Sequence, residues 1–589
     1  MIRQIAASSP AIGESVPDNP RQIHGTLERE VSKPAIFDPA SLEILGQLGQ
    51  IISSQDEIVR QVRSITASQS QAALHLDPAQ THLHAVSDAL SWDANGVQAQ
   101  QLPYMTDWFG GQPDSASTTP VASASAAAVR WFGILANDAS GEAFQDADAP
   151  LGLDGCLLDT SPDGHAESDI TPLQRATRMI DSQPIEPDMP DRGLGAGGRT
   201  GNVAEESLWQ ATESISLLAR EQSLFQNFLH RICSWLDLFD PARTFSTRVP
   251  HLAVRNAGLL NAILALSCYH QSLDETLPSE HRPDQNTALQ YYYQTLHYVQ
   301  KAMRYSTYQN SQELMATTLM VSTYEMLRGS RKDWQQHLQG VFWILRSRQI
   351  EVETSSLEST TWWAWLRQDL WVAFREKRRT YSTWTPKKGY DELDSHELAS
   401  RAVWILAQVV NFCAVDSCTE TEGTLSGRVS WAKALRKMLD EWRSHLTVEF
   451  SALPSMGRRG SEVFQPHLIH PQCFGLAMQI HHVSLILINA HEPHLDGIQG
   501  FLRRQKAVQD SIAMVCGIGL TLTEDASSML SSQCLFIAGV FMQSPKQRSC
   551  VLEMLNSCQQ RCGWPTPSLG SELEEIWTNP DSLWDNQHD

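Results

Sequence analysis

The sequence predicts an all-α protein: one large multi-helix regulatory-type domain, preceded by a mostly disordered acidic N-terminal region that contains a short candidate coiled coil. Three observations carry this expectation. Beyond position 200, apolar residues recur at helical rather than alternating spacing, in long segments punctuated by proline and glycine. Fifteen of the 18 tryptophans fall in that part, so the material for a large core is concentrated there. Residues 1–200 hold 11 basic and 26 acidic side chains, a net of −15, whereas 201–589 hold 34 and 41, a net of −7. The first third therefore has little to bury and much to solvate, which is the composition of a disordered region.

Residues 1–40 are polar and read as disordered. From Ser41 to Ala67, Ile44, Leu48, Ile51, Ile58, Val62 and Ile65 fall at heptad spacing with Gln55 as the polar exception, after an Asp38-Pro39 helix start. Two readings of 41–67 stand side by side: a homo- or heterodimeric coiled coil, or an amphipathic helix packed on the main domain. Residues 68–204 form an acidic stretch, a linker and candidate activation region. An apolar island in it, Ala126 to Ala136, is centred on Trp131 and is followed by Asp138, Glu142, Asp146 and Asp148. It suits an activation segment that folds on a partner, or a short segment docked back on the folded domain, and the second reading is favoured. The Gly-rich text from Gly193 to Gly201 reads as a linker.

The domain itself spans 205–580, with a short tail at 581–589. Helices are expected near 205–235, 256–273, 284–305, 311–328, 332–349, 360–378, 395–414, 429–446, 467–490, 503–522, 528–543 and 547–562, separated by Pro278, Pro283, Gly329, Pro386, Pro454, Pro466, Pro493, Pro545 and Pro565. The run Leu259 to Tyr269 is apolar nearly all round and belongs at the centre of the stack. In 311–328 a broad apolar face forms from Leu314, Met315, Thr318, Leu319, Met320 and Val321.

Little catalytic chemistry is written here. No two of the eleven cysteines stand at Cys-x2-Cys spacing, so the turn that brings two thiolates to one zinc ion is missing. Cys550, Cys558 and Cys562 read as packed core thiols. His467, His470, His481, His482, His491 and His494 cluster, but His491-Glu492-Pro493-His494 has neither the spacing nor the unbroken helix of a zincin. No phosphate-binding glycine loop and no nucleophile elbow occurs. Glu574-Glu575 and Asp391-Glu392-Leu393-Asp394 are the paired acids, the latter in a surface loop with Lys387 and Lys388. Trp362, Trp363, Trp365, Trp371 and Phe374 read as core. Two basic clusters, Arg375 to Arg379 and Arg503 to Lys506, read as solvated helix ends, with nuclear import as the alternative. No residue is assigned a catalytic, cofactor-binding, metal-binding or DNA-binding role. The chain opens without a secretory signal, and no run reaches the ~18–20 apolar residues of a membrane span. An intracellular location without membrane contact is the expectation.

Seven stretches, in order, resemble the regulatory domain of fungal zinc-cluster transcription factors. They are Trp235-Leu236-Asp237-Leu238-Phe239-Asp240, Val249-Pro250-His251-Leu252-Ala253, Leu259 to Ser267, Tyr291-Tyr292-Tyr293, Asp333-Trp334-Gln335-Gln336-His337-Leu338-Gln339-Gly340, Trp363 to Leu370 with Arg367-Gln368-Asp369, and Leu535 to Gly539 followed by Cys562-Gly563-Trp564 and Trp577. The resemblance covers about 205–580. It implies a nuclear, fungal-type transcription regulator that acts for one pathway or gene cluster, with the transcription machinery or other regulators as partners, and not an enzyme. The family's DNA reader is an N-terminal six-cysteine zinc cluster. This chain shows none, so the expectation is either a reader upstream of Met1, in which case zinc enters, or access to DNA through a partner. An all-helical enzyme with an apolar pocket and a coiled-coil scaffold are the rival classes. Gly340 and Gly539 lie inside helical text, where close helix–helix approach is the natural reason for a glycine. Asp333 suits an N-cap, and Trp334 with His337 share one helical face.

Overall fold

A computed structural model describes residues 126–132, 171–180, 205–274, 276–329, 333–348, 350–414, 424–454, 463–493, 497–564 and 567–579. The expectations for 1–40, 41–67, Gly193 to Gly201 and 581–589 lie outside the described residues. Among the described residues there is no strand, only one isolated antiparallel bridge between Leu453 and Leu468. The fold is all-α, as the periodicity predicts.

Its centre is built on the run that is apolar all round. Helix α1 (126–132) and α2 (Pro172–Met179) precede the main stack, and α3 (205–209) leads into it. Helix α4 (Ala219–Asn227) continues through a π turn, Phe228–Ile232, into α5 (Cys233–Leu236). Then come α6 (Thr244–Ala253) and α7 (Ala257–Ser272). All but two residues of α7 are buried, and it packs on α2, α4, α6, α8 (Gln285–Ala302) and α10 (Gln312–Arg328), the last reached through the short α9 (Ser306–Gln309). Helix α11 (Asp333–Ser347) packs between α10 and α12 (Leu357–Arg375).

The chain then passes into a second half: α13 (Ser395–Cys413), α14 (Leu425–Ser444), α15 (Gln472–His491), α16 (Gly497–Gly519), α17 (Asp525–Val540), α18 (Pro545–Cys562) and α19 (Pro567–Thr578). Helix α15 is long and apolar enough to cross a membrane, but it is mostly buried among α13, α14, α16 and α17, the situation of a core helix. Helix α17 returns to α5, so the halves close on each other.

Local chemistry sets the boundaries. The side chains of Asn256, Asp284, Ser311, Ser356, Asp394 and Thr424 each accept a backbone N–H in the first turn of the helix they precede. Gly329 and Gly563 end α10 and α18 in the left-handed conformation (φ +80° and +68°).

Three expectations need correction. The helix expected over 205–235 is broken after α3. Residues 211–218 are extended, with Ala211 and Ile215 donating to the carbonyls of Arg255 and Val254 at the end of α6 instead of to their own helix. Helix α6 is absent from the expected helices, and it contains Pro250. It stands because Pro250 falls in its last turn, and its first N–H groups are capped from outside. Asp237 accepts from the N–H groups of Phe245 and Ser246 at 2.8 Å each, and Asp240 from Thr244 at 2.8 Å. Helix α19 was not expected either. Pro567 opens it, where a missing N–H costs nothing, and Leu573 and Ile576 are buried.

The domain also reaches further upstream than 205. Within the stretch expected to be mostly disordered, α1 and α2 are helices seated on the stack. Ala127, Ala128 and Trp131 of α1 are buried, and Arg130 lies 3.6 Å over the ring of Trp343 on α11. Of the two readings of the apolar island, the docked one describes these residues. Helix α2 starts with a capping box: the Thr171 side chain accepts from Gln174 N, and Gln174 Oε1 accepts from Thr171 N. It buries Leu173, and its Thr177 hydroxyl accepts from Asn261 Nδ2 of α7 at 3.1 Å.

Candidate functional site

Three of the family-like stretches, far apart in sequence, meet at one place. Trp235 and Leu236 at the end of α5, Thr323 and Met326 of α10, Arg367 and Gln368 of α12, Met529 and Gln533 of α17 and Trp564 after α18 line a shared cleft. Two halves of the chain therefore touch through side chains from five segments. The space left between them holds about one water molecule.

Arg367 is the anchor. Its Nη2 donates to the carbonyls of Trp235 at 3.2 Å and Leu236 at 2.9 Å, which are orphan acceptors at a helix end. Burial holds its guanidinium down to about 10, against the pull of Asp237, so it stays charged at neutral pH. Asp237 is itself buried, which raises its carboxyl, while the N–H groups of Phe245 and Ser246 and the Ser246 hydroxyl favour the charged form.

Gln368 ties α12 to α10: its Nε2 donates to Thr323 Oγ1 at 2.9 Å, and its Oε1 accepts from Ser322 Oγ at 2.7 Å. Asp369 turns the other way. It accepts from Arg378 Nη2 at 2.9 Å and from Tyr381 N at 2.7 Å, fixing the chain that leaves α12. Burial pushes its carboxyl up to about 6, which still leaves it ionised at neutral pH beside Arg378. Three consecutive residues thus serve three different segments.

The cleft's outer wall is held by His270. Its Nδ1 accepts from Asn227 Nδ2 at 3.2 Å, which makes Nε2 the protonated nitrogen, and that N–H donates to the carbonyl of Cys562 at 2.8 Å. Burial lowers its pKa, keeping the ring neutral. The Trp235 ring stands edge-on to His270 (centroids 5.2 Å) and to Trp564 (5.8 Å). The Trp235 indole N–H is buried and has no hydrogen-bond partner.

The other sequence candidates fall elsewhere. Trp362 and Trp365 are core, and Trp365 Nε1 donates to Leu338 O at 3.2 Å. Cys558 and Cys562 are buried thiols, and burial pushes Cys562 up to about 12. His481 and His482 are buried on α15, with His481 stacked on Trp442 at 5.2 Å. Among the described residues no group of three or more His, Cys, Asp or Glu is placed to hold a metal ion. The 375–379 cluster is not a solvated helix end. Arg375 pairs with Glu572 at 2.8 Å, Arg378 with Asp369 and Glu376, and Arg379 lies 5.5 Å over the Trp431 ring. Asp394 is a helix cap forming a capping box with Glu397, and Lys388 pairs with Glu397 at 2.5 Å.

Gly340 and Gly539 are sites of close approach, as expected. A Cβ on Gly340 would lie 2.4 Å from Trp131 Cδ1, and one on Gly539 would lie 2.7 Å from Leu573 Cδ1. Helix α11 begins at Asp333 itself, and the side chains of Trp334 and His337 lie outside the described ones.

Comparison with known proteins now bears on this arrangement. Residues 223–366 match a family described as "Fungal specific transcription factor domain". The match runs from α4 to Leu366, one residue before Arg367, and so includes most of the segments that Arg367-Gln368-Asp369 ties together. The chain is also similar to "Transcription activator AMTR1" of Alternaria alternata, 24% identical over 352 residues, which is 47% of this chain and 46% of that protein. The similarity therefore spans about half the length of that relative. No solved structure matches. The residues without a role in the sequence reading are Asp237, inside the matched stretch, and Arg367, Gln368 and Asp369, just beyond its end. Their signal was present: charged and amide side chains inside otherwise apolar helical text are buried only when fully partnered.

Proposed function

We propose that the chain is a transcriptional regulator of the fungal type. The single observation that carries this reading is the coincidence of the domain match at 223–366 with a fold in which three of the family-like stretches, at Trp235-Leu236, Arg367-Gln368 and Trp564, meet around one cleft. The cleft's polar groups are engaged in joining helices, which suits a domain that holds a shape for partners better than one that turns over a substrate. In this reading it works in the nucleus, with the transcription machinery or other regulators as partners, for one pathway or gene cluster. Residues 41–67 supply a dimer contact. DNA is reached through a zinc-cluster reader or a DNA-binding partner.

A tethering assay tests it. The whole chain is fused to a foreign DNA-binding domain and a reporter is measured in a fungal host. Activation or repression several-fold from the untethered level is expected. No change in either direction, with the fusion present in nuclei, counts against the reading.

A further inference from the structure

The first half of α16 is an unusual surface for this chain. Ile498 is 73% exposed, and Phe501 and Leu502 are each 51% exposed. At helical spacing they share one face with Gln505. Cations flank that stripe on both sides: exposed Arg503 and Lys506 on one, half-buried Arg504 on the other. Arg503 Nε donates to Gln499 O, and Arg504 Nη1 to Pro493 O at 3.1 Å. Arg504 Nε and Nη2 have no hydrogen-bond partner among the described residues. Residues 497–510 hold three cations and one acid, Asp510, in a protein of net charge −22.

The complementary text is in the same chain. Between the docked helices α1 and α2, residues 133–170 carry nine carboxylates and no lysine or arginine, with Phe144, Leu151, Leu153, Leu157 and Leu158 among them. Both ends of this 38-residue stretch are tied to the domain, at Trp131 and at Leu173. Fully extended, it spans on the order of 120 Å, whereas a domain of this size has a radius of gyration of roughly 22 Å. Anchored at both ends, the loop extends up to roughly 60 Å, half its contour, from its anchors, and double tethering makes the encounter intramolecular. A second copy of the chain is a poorer occupant, because pairing this face with itself across a two-fold axis sets Arg503 and Lys506 against like charges.

The geometry points to the Ile498–Phe501–Leu502 stripe of α16, with its flanking cations, as the docking surface for the acidic, leucine-bearing segment 133–170 of the same chain. The apolar stripe takes the leucine and phenylalanine side chains, and the exposed Arg503 and Lys506 take carboxylates. The contact does not depend on the regulatory reading above, since it is tested on purified protein without any reporter.

The test is site-specific photocrosslinking in the full chain. p-Benzoylphenylalanine is placed at Leu502, separately at Ile498, and as a control at Val448, which is 80% exposed on another element. Cross-linked peptides are mapped by mass spectrometry. Positions 498 and 502, but not 448, are expected to cross-link into 133–170 at monomer mass. The yield should drop at least several-fold in 0.5 M salt, where the Debye length is about 4 Å, and again when the nine acids are changed to Asn and Gln. Cross-links at dimer mass, cross-links only to other segments, none from either position, or a yield indifferent to neutralising the acids would each overturn the proposal.

Discussion

The indole of Trp131 fills the space over Gly340 that any other residue's side chain would need, 2.4 Å from where a Cβ would stand. A residue from the acidic arm and a glycine of the domain are thus one contact. Gly340→Ala must push the indole out, and α1 has only this face to hold it. Trp131 is fully buried, and losing a buried tryptophan's packing typically costs ~3–5 kcal/mol. Hydrogen exchange on the Gly340→Ala protein is expected to show the amides of 126–132 exchanging at least tenfold faster, with those of α7 unchanged. Equal protection of 126–132 in both proteins would refute the contact.

Arg367 holds two main-chain carbonyls at the end of α5, those of Trp235 and Leu236. Arg367→Met keeps the volume and leaves Trp235 O and Leu236 O buried without that donor. A buried unsatisfied acceptor costs about 1–3 kcal/mol, so a loss of about 2–4 kcal/mol in urea unfolding is expected. Arg367→Lys should recover little of it, because an ammonium is more strongly hydrated than a guanidinium and costs more to bury. Recovery to within measurement error by lysine would show that charge alone matters there.

Much of this fold was legible because long, strongly periodic segments declare themselves. Helices α7, α8, α10, α12, α13 and α15 stand within a few residues of where apolar spacing puts them. The exceptions share a cause. Helix α6 contains Pro250 and has its first turn capped by Asp237 and Asp240 from a preceding turn, and sequence spacing does not show a cap supplied across a bend. The break after α3 follows from backbone bonds to Arg255 and Val254, forty residues further on. The glycines at 340 and 539 are readable as close approaches, but their partners are not: Trp131 lies upstream of the expected domain, and Leu573 lies on a helix that the spacing does not show. The cleft's architecture was unreadable for the same reason: Arg367, Gln368 and Asp369 are neighbours in sequence that serve three different segments.

Gly563 joins two constraints. Its φ of +68° disfavours any side chain, and a Cβ there would lie 2.5 Å from His270 Nε2, the atom that donates to Cys562 O. Gly563→Ala therefore carries the left-handed cost of about 1–2 kcal/mol and a displaced hydrogen bond worth about 1 kcal/mol. A double-mutant cycle with His270→Ala separates them. The alanine at 563 should cost less, by about 1 kcal/mol, once the imidazole is gone. Strict additivity would mean that His270 does not feel position 563.

His481 and His482 give the domain an acid sensitivity with a calculable sign. Both are buried on α15. Desolvation is the largest cause of their lowered pKa values, to about 3 and about 4, with Arg443 also acting on both, His482 on His481, and His467 on His482. In the unfolded chain each titrates near 6.5. Between that value and the folded one, the unfolded state binds protons that the native state does not, so stability rises with pH and is lost as pH falls below about 6.5. From pH 6.5 to 5 the loss is about 2 kcal/mol per histidine as an upper figure. Neither ring nitrogen of His481 has a hydrogen-bond partner, and the ring stacks on Trp442. His481→Phe therefore keeps the stack, leaves nothing unsatisfied, and should be neutral or stabilising at pH 7.5. Urea titrations of the two proteins at pH 7.5 and 5 are expected to show an acid-linked loss smaller by up to about 2 kcal/mol in the variant. An unchanged difference between the two pH values would mean that His481 is protonated in the native state and that its burial carries no linkage.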